Sequence, residues 1–338
     1  MDISLFDYDL PGELIAQKPI EPRDRSRMLV MSGGDITHDH FYHLAHYLKP
    51  GDLLVFNRTR VIPARLTGRK AETGGQAECL LLHQVSPDIW SCLVKPGRRL
   101  APGVRLVFGN GELEGIVEER TEGGGRLVRF AWKGDFEDVL RQVGHIPLPP
   151  YIHEKLADPE RYQTVYGDIS GSAAAPTAGL HFTEGTLDEL RSMGVASAQV
   201  LLHVGLGTFR PVESQVIEEH KMHKEYCEVN KDAALAVNRA KEEGRRVIAV
   251  GTTALRTLEA MGGGGVLREG SEWTDLYIYP GYPFAIVDGL LTNFHLPKSS
   301  LLMLVSALAG RERVMEAYRE AVQEKYRFFS FGDAMLII

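Results

Sequence analysis

The run Val247-Ile248-Ala249-Val250-Gly251-Thr252-Thr253-Ala254-Leu255-Arg256 decides the fold class. Its first residues are apolar and mostly β-branched, which reads as a strand buried on both faces. Gly251 permits a turn that other residues resist, and the residues after it open a helix. A strand that feeds directly into a helix is the repeating unit of an α/β domain. The alternation continues outward. Asn230 is placed to cap a helix over residues 231–243, closed by Gly244. Residues 198–204 end as a central strand, and Gly205-Leu206-Gly207-Thr208 follows. Thr186 and Glu189 have capping-box spacing, predicting a helix from Leu187 that stops at Gly194. Downstream, residues 276–279 read as a strand, and helices are predicted over 300–309 and 311–325. Near the start, residues 28–31 and 53–56 are strands. Between them a helix is predicted over 38–48, because Phe41, Leu44, Ala45 and Leu48 share a face.

The expectation is therefore an α/β main domain with a largely parallel sheet over residues 1–60 and 146–338. Residues 61–145 differ. Short strand-like runs at 65–69, 78–83, 89–94, 104–108, 115–118 and 126–130 are separated by Gly-Gly, Pro-Gly and Gly-Asn-Gly turns. That spacing predicts a small inserted all-β barrel domain. Pro147, Pro149 and Pro150 form a stiff return to the main domain.

Composition bounds the function. With 338 residues, 44% hydrophobic and 25% charged, the chain has enough apolar material for a sizeable core. Three widely spaced cysteines argue against a disulfide framework. The acidic start lacks the apolar run of a signal peptide, and no stretch is long enough to span a bilayer. The expected location is cytoplasmic. The net charge is −7, yet residues 55–110 carry +6 and the remainder −13. That asymmetry points to a local basic surface for a polyanion.

Polar residues gather at predicted strand ends: Asn57 and Arg58, His203 and Thr208, Thr252 and Thr253, Asn293 and His295. Parallel sheets bring such ends to one edge, where α/β folds bind ligands. Gly251-Thr252-Thr253, with Arg256 a turn later, suits a carboxylate or phosphate. Residues 173–182, Ala-Ala-Ala-Pro-Thr-Ala-Gly-Leu-His-Phe, are small and nearly uncharged, so backbone there can approach a neighbour or a ligand closely. His220, His223 and Glu225 include a His-x-x-His pair, which lacks the spacing that sets two zinc ligands on one helical face. Around Asp24, three alternating arginines read as an extended approach to a strand, with Asp24 paired to one of them. There is no Gly-x-Gly-x-x-Gly after a strand and no Gly-Lys-Ser/Thr, so neither a dinucleotide fold nor a P-loop is supported.

Motifs at residues 8–15, 23–29, 51–70, 144–151, 173–182, 202–212, 219–229, 247–258, 277–281, 292–310 and 324–335 occur in the order of one family. The chain resembles the S-adenosylmethionine:tRNA ribosyltransferase-isomerases of queuosine biosynthesis over nearly its whole length. One departure is Arg58, where the family often has Asn. The resemblance implies transfer of the ribosyl moiety of S-adenosylmethionine to 7-aminomethyl-7-deazaguanine at the tRNA wobble position, with isomerisation. The product is epoxyqueuosine, and adenine and methionine leave. No metal or further cofactor is implied; S-adenosylmethionine is consumed. The partners are tRNA carrying the modified base and S-adenosylmethionine, with no membrane, and the expected state is a monomer.

Mapped onto that chemistry, His181, His203 and His223 are the candidate bases, with Glu225 as base or orienter. Thr177, Gly179, Thr208, Thr252, Thr253, Arg256, Asn293 and His295 are the substrate-binding candidates. Arg58, Arg60, Arg69, Lys95, Arg98 and Arg99 are the tRNA-binding candidates. A methyltransferase is the main competing enzyme class, but its glycine-rich turn after the first strand is missing. A non-catalytic RNA-binding factor would leave the polar strand ends without a purpose.

Overall fold

The computed structural model describes residues 1–121, 124–154, 156–205, 212 and 214–338. The chain forms two compact units. One comprises Met1–Thr59, Pro150–Ile169 and Ala175–Ile338; the other, Arg60–Pro149 and Ser170–Ala174. The short return segment belongs to the second unit because Ile62 N–H donates to the Ser172 carbonyl at 3.1 Å.

The first unit is built on a nine-stranded mixed sheet. Its strands in chain order are β1 (Arg27–Ser32), β2 (Asp35–His40), β3 (Leu53–Asn57), β4 (Ala196–Leu202), β5 (Glu225–Val229), β6 (Val247–Val250), β7 (Gly270–Thr274), β8 (Gly289–Asn293) and β9 (Ala334–Ile337). The spatial order is β7-β5-β4-β3-β6-β8-β9-β1-β2. The four central strands β4, β3, β6 and β8 run parallel. Their flanks are mostly antiparallel, through β5 and β7 on one side and β9 and β2 on the other. β3 and β6 are buried along their whole length, as their unbroken apolar runs require.

The α-helices of this unit are α1 (Glu184–Ser192), α2 (Lys231–Glu242), α3 (Thr252–Met261), α4 (Ser300–Ala309) and α5 (Arg311–Gln323). The Asn230 side chain caps α2 by accepting from Ala233 N–H at 2.8 Å. Three local expectations change. The cap of α1 is Thr183, whose hydroxyl accepts from Thr186 N–H at 3.0 Å, so the helix starts before the predicted capping box. The helix expected over 38–48 is the end of β2 followed by a 3-10 helix, Phe41–Tyr47. Gly33 and Gly34, both at positive φ, turn β1 back onto β2 as a hairpin. Phe41 and Leu44 are still buried, because a three-residue spacing also lines up on a 3-10 turn. Residues 276–279 carry no strand; the strand lies at β7, paired antiparallel with β5.

The second unit is a closed antiparallel barrel. Strands Arg65–Lys70, Gln76–Ser86, Ile89–Lys95, Arg126–Trp132, Leu113–Arg120 and Arg105–Phe108 pair in that order, and the last pairs back with the first. Closure depends on Gly68, where an added Cβ would lie 2.4 Å from the Val107 carbonyl and 2.6 Å from the Phe108 ring. Leu66, Cys79, Leu81, Cys92, Leu106 and Phe108 fill the interior. The three cysteines are buried and free.

Candidate active site

Because β3, β4, β6 and β8 are parallel, their carboxyl ends meet at one edge of the sheet. Asn57 organises that edge. Its amide donates to the Leu202 carbonyl at 2.9 Å and to Thr253 Oγ1 at 3.1 Å, and its oxygen accepts from Leu202 N–H at 3.0 Å. One buried side chain thus fixes the ends of β3 and β4 against the start of α3.

Over this edge lies a cavity that opens to solvent. Its walls include Thr177 and Ala178, Val204, Gly251 to Thr253, Thr292 to His295, Ser299, Tyr151, Phe329 and Ser330. Gly251 has φ +88° and turns β6 sharply into α3, whose first turn has no side-chain cap. The amino end of α3 therefore presents backbone donors and a positive dipole beside Thr252 and Thr253. No Lys, Arg, Asp or Glu lines the cavity among the described residues.

His295 is the imidazole on the wall. Its Nε2 lies 3.1 Å from Thr292 Oγ1, and its backbone is fixed by the hydroxyls of Tyr318 and Tyr8. Burial pushes the ring down to about 3, so it is neutral near pH 7. His181 stands behind the wall in a polar relay. Thr177 Oγ1 donates to Asn293 Oδ1 at 3.2 Å, Asn293 Nδ2 donates to His181 Nε2 at 3.1 Å, and His181 Nδ1 lies 2.7 Å from Ser26 Oγ. With Nε2 accepting, the proton sits on Nδ1 and is donated to Ser26. Burial, with the charges of Arg327 and Arg23, pushes His181 down to about 3. It also stacks on Phe41 at 5.2 Å. His181 thus orients Asn293, and Asn293 and Thr177 face the cavity.

The other expected residues fall into three groups. Thr252, Thr253, Thr177, Asn293 and His295 line the cavity together. His203, Glu225 and Arg256 support its surroundings. His203 Nδ1 is 2.9 Å from Thr59 Oγ1, and burial lowers its pKa. Glu225 is buried, paired with Arg256 Nη1, and accepts from Gly205 N–H at 2.8 Å. Arg256 also donates to the Leu276 carbonyl at 3.2 Å. Its Nε and Nη1 are therefore held by the protein, and the side chain does not line the cavity, where the sequence suggests a ligand contact. Gly179 and His223 do not reach the cavity lining. Gly179 does have a close approach, but to Tyr166, whose hydroxyl would lie 1.9 Å from an added Cβ. His223 is exposed. Thr208 lies outside the described residues.

Sequence reasoning missed Tyr151 and Ser330. Tyr151 Oη and Ser330 Oγ are 2.7 Å apart, and Tyr151 stacks on Phe329 at 4.6 Å. Phe329 has φ +71°, a conformation that its aromatic identity gives no hint of. No metal cluster forms from His220, His223 and Glu225 among the described residues. Asp39, His43 and His46 do come within 4.8 Å of one another, but Asp39 already accepts from His43 at 2.6 Å and Tyr47 at 2.7 Å. Of the basic candidates, Arg58 is paired bidentately with Asp168, while Arg69, Lys95, Arg98 and Arg99 are exposed.

A family model described as "Queuosine biosynthesis protein" matches residues 3–337. The chain belongs to the queuosine biosynthesis protein family. Curated relatives from Carboxydothermus hydrogenoformans and Symbiobacterium thermophilum are 60% and 58% identical over 100% of both chains. Both are named S-adenosylmethionine:tRNA ribosyltransferase-isomerase. A crystal structure titled S-adenosylmethionine tRNA ribosyltransferase, from Thermotoga maritima, is 41% identical. It covers 99% of this chain and 100% of its own, with a TM-score of 0.58. As a member of the queuosine biosynthesis family, the chain is a transferase-isomerase.

Proposed function

We propose that the enzyme moves the ribosyl group of S-adenosylmethionine to 7-aminomethyl-7-deazaguanine at the wobble position of tRNA and isomerises it to epoxyqueuosine. Adenine and methionine are released, and no metal or further cofactor takes part. The observation that carries this reading is the uncharged cavity at the ends of four parallel strands, in a chain whose full-length relatives bear that enzyme's name. The site offers what such a substrate needs. The amino end of α3 with Thr252 and Thr253 receives the methionyl carboxylate. The stacked pair Tyr151 and Phe329 offers an aromatic wall to the adenine.

A base must remove a proton next to the sulfonium before adenine leaves. His295 is our candidate, because it is the imidazole that lines the cavity and burial keeps it neutral at pH 7. His181 then acts through Asn293, and Glu225 with Arg256 holds Gly205 in place. The aminomethyl nitrogen attacks the sugar, and the epoxide closes as methionine departs. The exposed Arg69, Lys95, Arg98 and Arg99 of the barrel contact tRNA, with the half-buried Arg60 at the start of the same unit. Incubation with precursor tRNA and S-adenosylmethionine should release adenine and methionine in equal amounts. Formation of S-adenosylhomocysteine, or no release at all, would overturn the reading.

A further inference from the structure

A smaller recess, open to solvent, lies beside the main cavity, lined in part by Arg23, Arg161, His181 and Ser330. Ser330 belongs to both. The two arginines differ. Arg161 is matched: its Nε meets the Glu21 carboxylate and its Nη2 donates to the Ile20 carbonyl at 2.7 Å. Arg23 donates Nη1 to the Gln163 carbonyl at 3.0 Å, and that neutral oxygen is its only hydrogen-bond partner among the described residues. Asp24, expected to hold a neighbouring arginine, makes no ion pair among the described residues.

Burial and the charge of Arg161 both disfavour the Arg23 cation, and Glu21, Asp158 and Glu160 act the other way from a distance. Arg327 adds another half-buried guanidinium, held by the Lys18 carbonyl, and its charge bears on His181. Arg23 has a carbonyl as its partner and no carboxylate in ion-pair contact among the described residues, so the desolvation of its charge is offset only in part.

We propose that Arg23 anchors an oxyanion subsite that takes a backbone phosphodiester of the tRNA. This rests on the function proposed above. The Nε and Nη2 groups of Arg23 make no hydrogen bond among the described residues, so a fork of donors is left for two phosphate oxygens. The methionyl carboxylate has its own place at the amino end of α3, which leaves this second oxyanion site to the RNA. Through Ser330, a phosphate here sits next to the cavity that receives the target base.

The test measures tRNA affinity against salt, and S-adenosylmethionine affinity separately. Arg23→Ala should weaken tRNA binding about tenfold and lower the log–log salt slope by about 0.7–0.9. Its affinity for S-adenosylmethionine should not change. Glu21→Gln, on an exposed side chain, should release Arg161 and tighten tRNA binding; this arm stays readable even if Arg23→Ala folds poorly. Unchanged tRNA affinity and salt slope in both variants would overturn the proposal. So would an Arg23→Ala that loses S-adenosylmethionine affinity while keeping that for tRNA. Failure of the underlying function looks different: the unmodified enzyme itself would then release no adenine.

Discussion

His181 and His295 are neutral because burial makes their charged forms costly, and both sit at about 3. Between about pH 3 and 6.5 the unfolded chain binds protons at these rings that the folded chain does not. Their contribution to stability is therefore complete above about pH 6.5 and is lost as the pH falls towards 3. Urea unfolding should show lower stability at pH 5 than at pH 7.5, and His295→Asn should flatten that dependence; equal stability at both pH values in the parent enzyme would contradict it. Gly179→Ala should cost about 1–3 kcal/mol, because its Cβ meets Tyr166 and Thr164, whatever ligand is present. The same denaturation experiment reads it. These residues show what the sequence could tell. It marked residues 173–182 as a close-approach segment and His181 as notable. It did not tell whether the approach is to a ligand or to the protein, because that depends on which buried neighbour packs there. Here the neighbour of Gly179 is Tyr166, and His181 faces Asn293 rather than the cavity.

At the scale of elements, β3, β6 and α3 were legible because their patterns are local: an unbroken apolar strand, a glycine turn and a helix. The antiparallel flank was not. β5 alternates buried and half-buried residues and β7 is mostly exposed, and among the described residues they pair with each other and β4, so their existence depends on partners distant in sequence. That flank also decides the role of Arg256. On α3 alone it looks available to an anion, but β5 brings the Glu225 carboxylate onto it. Breaking a buried pair leaves an uncompensated charge, so Glu225→Gln should cost about 3–5 kcal/mol. Calorimetric unfolding checks this. Replacing the pair together, Glu225→Leu with Arg256→Met, should recover most of the stability. Recovered stability with adenine release still lost would show that the pair positions Gly205 as well as stabilising the flank.

At the scale of the whole molecule, the charge asymmetry and the alternation of strands divided the chain into an α/β part and a barrel. The tertiary structure added Ser170–Ala174 to the barrel unit, a segment whose sequence gives no sign of its partner. Arg98 and Arg99 lie exposed on the short turn Gly97–Arg99 of that unit. Reversing both charges should weaken tRNA binding and flatten its salt dependence, as measured by filter binding across a salt series. The central claim is that ribosyl transfer takes place in the cavity where β3, β4, β6 and β8 end. The most direct measurement uses S-adenosylmethionine labelled in the ribose, precursor tRNA, and the parent enzyme beside Asn293→Ala. The account predicts label in the tRNA with the parent enzyme and at least a hundredfold slower labelling, on the order of 3 kcal/mol, with the variant, assayed at a temperature where its unfolding curve shows it fully folded. Label that never enters tRNA, or that enters equally fast with Asn293→Ala, would contradict it.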